Sequence, residues 1–87
     1  MKPPLSKKKF LALLHQQLRF ILFEGKGLKP KDIGDNCSKE RQSMERFLQD
    51  DNYNPTVYYL YEVCDGNKVD LLDLLNYILS KAKNERT

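Results

Sequence analysis

The stretch from Gly27 to Met44 limits what this chain can fold into more than any other. It reads Gly27-Leu28-Lys29-Pro30-Lys31-Asp32-Ile33-Gly34-Asp35-Asn36-Cys37-Ser38-Lys39-Glu40-Arg41-Gln42-Ser43-Met44. The pattern is a short helix, a tight turn and a second helix. Two helices joined so closely cross steeply and nearly touch, so the crossing needs a small side chain. Gly34 supplies it. The turn needs residues that accept unusual backbone angles or bond locally, and Asn36 and Ser38 do so. Ile33 and Cys37, four apart, turn inward from the first helix, and Met44 and Phe47, three apart, from the second. Glu40, Arg41, Gln42, Ser43, Glu45 and Arg46 then point outward.

Helical spacing extends to both sides of this unit. Ser6 is placed to cap a first helix running to about Glu24. Phe10, Leu11, Leu14, Leu18, Ile21 and Leu22 recur three and four apart along it. Leu13, Phe20 and Phe23 add apolar surface off that stripe. Gly25-Lys26-Gly27 ends the helix. Pro30 suits the first turn of a second helix over about 30–36, where Asp32 meets the positive helix end. A third helix starts at Lys39 or Glu40 and ends near Gln49. Asn54 and Pro55 are read as opening a fourth, which Gly66-Asn67 breaks. Asp70 caps a fifth, with Asp73 three residues on and Leu71, Leu74, Leu75 and Ile78 as its apolar face. No segment alternates as a strand does, so the expected class is all-α with five helices.

Eighty-seven residues make one small domain with a modest core. Within it, residues 1–17 read as a basic leader and an N-terminal extension of the first helix. Pro3-Pro4-Leu5 is its extended start, 18–80 is the helical domain, and 81–87 is a fraying tail. Charge is unevenly spread. Residues 1–48 carry 11 Lys and Arg against 5 Asp and Glu, whereas 49–76 carry one Lys against 6 acids. One surface therefore suits a polyanion and another does not. Cys37 and Cys64 occupy apolar-periodic positions and read as buried thiols of a reducing, cytoplasmic compartment. No signal peptide or membrane-length apolar run is evident.

Nothing marks an enzyme. His15 is the only histidine and reads as an exposed or half-buried residue of the first helix. The carboxylates are scattered, and no glycine-rich phosphate loop or metal-type spacing occurs. No cofactor, metal or small-molecule ligand is indicated. The tyrosines, Tyr53, Tyr58, Tyr59, Tyr61 and Tyr77, read as packing residues.

In this order the residues resemble the lambda-repressor-like (XRE-type) helix-turn-helix proteins. Gly27-Leu28 stands at that family's Gly-Leu start, Ile33-Gly34 at its Leu-Ala pair, and Cys37-Ser38 at its Leu-Gly turn. Arg41-Gln42-Ser43-Met44 matches the start of the recognition helix. Asn54-Pro55 matches the opening of the fourth helix, with Val57, Leu60, Val63 and Cys64 on its core positions. Val69-Asp70-Leu71 and Leu74-Leu75 match the last helix. The match spans about residues 18–76, with one extra residue in the loop from Gln49 to Tyr53. Three positions depart. Ser38 replaces the turn glycine, which loosens the turn or shifts its left-handed residue to Asn36. Lys39 replaces a buried aliphatic, and Lys29-Pro30 replaces Thr-Gln.

The resemblance implies a compact five-helix bundle and sequence-specific binding of double-stranded DNA by a small transcriptional regulator, with the helix at about 39–49 in the major groove. Arg41, Gln42 and Ser43 are then the base readers: Arg grips guanine O6/N7, Gln grips adenine N6/N7, and Ser touches a base edge or a phosphate. Lys29, Lys31, Lys39 and Arg46 would hold phosphates. Glu40 and Glu45 either accept from cytosine or pair with Arg41 and Arg46. Family members often pair, and a homodimer through the first or the fifth helix would use Leu13, Phe20, Leu72 or Leu79. The alternative is a helical protein-interaction module, antitoxin-like or a mobile-element accessory protein, with weak or no DNA binding.

Overall fold

Ser6 starts the first helix as its sequence position leads one to expect: its hydroxyl accepts the Lys9 backbone N–H at 3.2 Å. A computed structural model describes residues 5–86, with side chains through residue 83. The leader expected at Pro3-Pro4 lies outside the described residues. Among those residues the chain is all-helical, without a strand. The elements are α1 (Lys7–Arg19), a π-helical turn (Phe20–Gly25), α2 (Pro30–Asn36), α3 (Arg41–Gln49), α4 (Val57–Gly66) and α5 (Leu71–Arg86).

α1 and α5 pack along each other and frame the molecule. α2 packs chiefly on α3 and also on α4, while α1 reaches α3 and α4 reaches α5. Every helix contributes to one core. Leu14 and Leu18 come from α1, Ile33 from α2, and Met44, Phe47 and Leu48 from α3, with Val63 and Cys64 from α4 and Leu74 and Ile78 from α5. Leu11 and Leu14 bring the N-terminal half of α1 into that core, so the segment before residue 18 is part of the same folded unit. At the other end α5 runs to Arg86 and buries Ala82, past the point where the sequence reading places a frayed tail.

Tertiary packing moves several residues from their expected places. Leu13, read as lying off the apolar stripe, is buried between α1 and its neighbours. His15 is fully buried rather than exposed or half-buried. Its Nε2–H donates to the Tyr53 carbonyl at 2.7 Å, and its ring meets Phe47 edge-on at 5.1 Å between centroids. A polar ring is admitted to a core when it is hydrogen-bonded and stacked. α4 is capped by Thr56, whose hydroxyl accepts the Tyr59 N–H at 3.0 Å, and not by Asn54. That shift makes Val57 the first helical residue, and it is 80% exposed instead of core. Asp70 caps α5 as expected, accepting from the Leu72 and Asp73 N–H groups at 2.9 and 3.2 Å.

Candidate nucleic-acid interface

α2 begins at Pro30, whose missing N–H costs nothing in a first helical turn. The Asp32 carboxylate accepts the Lys29 backbone N–H at 3.1 Å, which fixes the entry into the helix. The C-terminal end closes through two turn bonds. The Lys39 N–H donates to the Gly34 carbonyl at 2.8 Å, and the Ser38 N–H to that of Asp35 at 3.5 Å. This is the Schellman arrangement, and its αL residue is Ser38 itself, with φ 59°. The turn neither loosens nor passes its left-handed residue to Asn36. Asn36 instead donates its side-chain amide to the Oδ1 of Asn67 at the end of α4, at 2.9 Å.

Gly34 does what the sequence asks of it. A Cβ there would lie 2.5 Å from the Lys39 carbonyl oxygen and 3.2 Å from the Met44 Cγ. Only hydrogen fits at that crossing, so α3 is set at a fixed distance and angle from α2. Met44, Phe47 and Leu48 are fully buried beneath α3. Each such burial contributes about 1.5–3 kcal/mol, enough to seat a nine-residue helix that would not persist alone. Arg19 holds the far end of α3: its Nη1 donates to the Leu48 carbonyl at 2.8 Å and to the Asp51 carboxylate at 2.5 Å.

The outer face of α3 carries Arg41, Gln42, Ser43 and Arg46, all exposed. Arg41 pairs through Nε with the Glu45 carboxylate at 3.3 Å. Both side chains are well exposed, so the pair adds little stability, but it biases the direction of the guanidinium. Because the contact uses Nε, the two terminal nitrogens of Arg41 stay available as a fork. Lys29 and Lys31 are exposed at the start of α2.

Lys39 is the exception among the expected phosphate contacts. Its ammonium lies 3.0 Å from the Glu62 carboxylate and 4.3 Å from the centroid of the Tyr59 ring. It closes a latch between the turn and α4, so its charge is largely answered within the chain. The sequence shows nothing of this, since Tyr59 and Glu62 lie twenty and twenty-three residues away and carry no local signal. Cys37 is half-buried rather than buried, and its thiol donates to the Ile33 carbonyl at 3.2 Å. Burial pushes its pKa up, against the lowering effect of Lys39.

A second feature missed by sequence reading is Asn67. It is 3% exposed and donates to the carbonyls of Ile33 and Val63 at 3.2 and 2.9 Å. It thereby ties the end of α4 to the back of α2. Gly66 allows that approach, since a Cβ there would fall 2.5 Å from the Asn36 carbonyl oxygen. Among the described residues no group of three or more His, Cys, Asp or Glu is arranged to hold a metal ion, and no helix is long and apolar enough to cross a membrane. No family model, curated protein or solved structure matches the chain.

Proposed function

We propose that this protein binds double-stranded DNA sequence-specifically, as a lambda-repressor-like helix-turn-helix regulator with α3 in the major groove. One observation carries the reading: α3 is anchored by three buried side chains while Arg41, Gln42, Ser43 and Arg46 stand exposed on its outer face. A groove reader needs a rigid helix whose polar ridge is unpartnered by the rest of the fold. Lys29 and Lys31 supply cations at the start of α2, next to that ridge in the chain. In this reading Arg41 and Gln42 read base edges, Ser43 touches a base edge or a phosphate, and Lys29, Lys31 and Arg46 hold phosphates. Lys39 contributes less, because Glu62 already holds it.

Titration with random-sequence duplex at several salt concentrations tests the reading. Binding that weakens steeply with salt supports it, since each neutralised phosphate releases counterions. Arg41→Ala is expected to relax base preference, at about 1–3 kcal/mol for the lost contact. Joint Lys29→Glu and Lys31→Glu changes are expected to weaken all duplexes alike. Absence of duplex binding at low salt would reject the proposal and favour the protein-interaction module.

A further inference from the structure

α4 packs on α2 and α5, and its remaining side faces solvent. Tyr59 turns inward and meets the Phe47 ring at 5.3 Å between centroids. Tyr58 and Tyr61 turn the other way and are 68% and 47% exposed, so they are not the core packing residues their sequence positions suggest. Their rings lie side by side, 6.0 Å between centroids and tilted by 32°. They form one aromatic surface instead of two isolated side chains. Asp65, also exposed, continues the stripe at the three- and four-residue spacing of a single helix face. A hollow of about 380 Å³ adjoins Tyr61 and Asp65, with Val69 and Leu71 in its lining and Lys68 and Asp70 beside them. Among the described residues no ion pair engages Asp65, Lys68 or Asp70.

We infer that this face of α4 docks an arginine-bearing segment of a partner protein. The face of a tyrosine ring carries negative π density, over which a planar guanidinium stacks. The Asp65 carboxylate stands on the same helix face and can accept from the guanidinium fork. The surroundings set the sign of the partner. Residues 49–76 carry one Lys against 6 acids. That lysine is Lys68, and in the hollow it stands against two carboxylates, Asp65 and Asp70. Lys39 answers Glu62, which leaves the other acids of the segment to dominate the field. A basic segment is drawn to such a surface. Bases of a single-stranded nucleic acid also stack on exposed aromatic rings, but their phosphates would enter the same acidic field. Val69 and Leu71 give an apolar neighbour of the arginine a place to settle beside the rings. The inference does not depend on DNA binding, since none of these residues belongs to the α3 ridge.

Titrating the full chain with a capped peptide of alternating arginine and leucine, followed by NMR shifts of amides and tyrosine rings, tests it. The expected result is a saturable set of shifts centred on Tyr58, Tyr61 and Asp65. The same peptide with citrulline in place of arginine, matched in shape but uncharged, should produce almost none. Tyr58→Ala and Tyr61→Ala should each weaken binding by about two- to fivefold, the size of an exposed cation–π contact. Tyr58→Phe keeps the ring and should bind like the parent. Asp65→Asn should weaken binding by about two- to fivefold at low salt. Tyr58 and Asp65 are exposed, so their variants should keep the parent's thermal midpoint. Absence of saturable shifts would overturn the inference, as would a citrulline peptide that binds equally well. So would shifts confined to Asp50 and Asp51 and indifferent to the tyrosine changes. An oligothymidine strand that shifts the same α4 signals more tightly than the peptide would also overturn it, making the rings a platform for bases.

Discussion

Two side chains sit in backbone conformations that disfavour them. Ser38 and Lys68 both hold positive φ, 59° and 58°. Each is the αL residue of a Schellman motif. At the end of α4 the Val69 N–H donates to the Cys64 carbonyl at 2.8 Å and the Lys68 N–H to Asp65 at 3.2 Å, repeating the closure of α2. A Cβ costs roughly 1–2 kcal/mol in this region, partly offset by the chain entropy that glycine loses on folding. Ser38→Gly and Lys68→Gly should therefore each stabilise the protein by about 0.5–1 kcal/mol, read as an increase in urea midpoint with unchanged slope. Both side chains are exposed, so neither change removes packing.

At the scale of elements, the ends of helices were legible wherever a short-range signal sets them. Ser6, Pro30 and Asp70 act where the sequence puts them, because capping is decided within three or four residues. Thr56 displaced Asn54 since both are competent caps and only the chain's path chooses between them. The crossing at Gly34 was equally legible, being a demand of local geometry. Side chains that join distant elements were not. His15 finds Tyr53 thirty-eight residues on, Lys39 finds Glu62, and Asn67 finds Ile33. Arg19 is another of these: it links α1 to the last turn of α3 and to Asp51. Arg19→Met keeps the stem and removes the donor. It should cost about 1–3 kcal/mol through the Leu48 carbonyl and Asp51 left unmet. Amide exchange near the end of α3 should quicken more than exchange in α5.

At the scale of the whole molecule, the core is closed against ionised side chains on its α4 side. Burial pushes the Cys64 thiol from 9.0 up to about 11, and the Tyr59 hydroxyl from 10.0 up to about 12, chiefly for the same reason. Both groups are neutral in the folded state at ordinary pH. A raised native pKa means the contribution is fully present below the unfolded value and is lost as pH climbs toward the folded one. Stability should therefore hold to about pH 9 and then fall by about 2–3 kcal/mol by pH 11 through Cys64 alone, with Tyr59 adding to the loss above pH 10. Denaturant midpoints across pH 8–11 measure this. Cys64→Ala, less stable at pH 8, should show a shallower alkaline decline.

The latch between Lys39, Glu62 and Tyr59 sets how such a molecule would respond to its ionic surroundings. A lysine already neutralised by its own chain displaces no counterion from a nucleic acid. On the proposed reading, phosphate contact falls to Lys29, Lys31 and Arg46, and the logarithm of affinity should drop against the logarithm of salt with a slope of about −2.7 instead of about −3.6. Glu62→Gln would release the fourth cation and steepen that line, so one carboxylate on α4 would act as a brake on indiscriminate adhesion to polyanions.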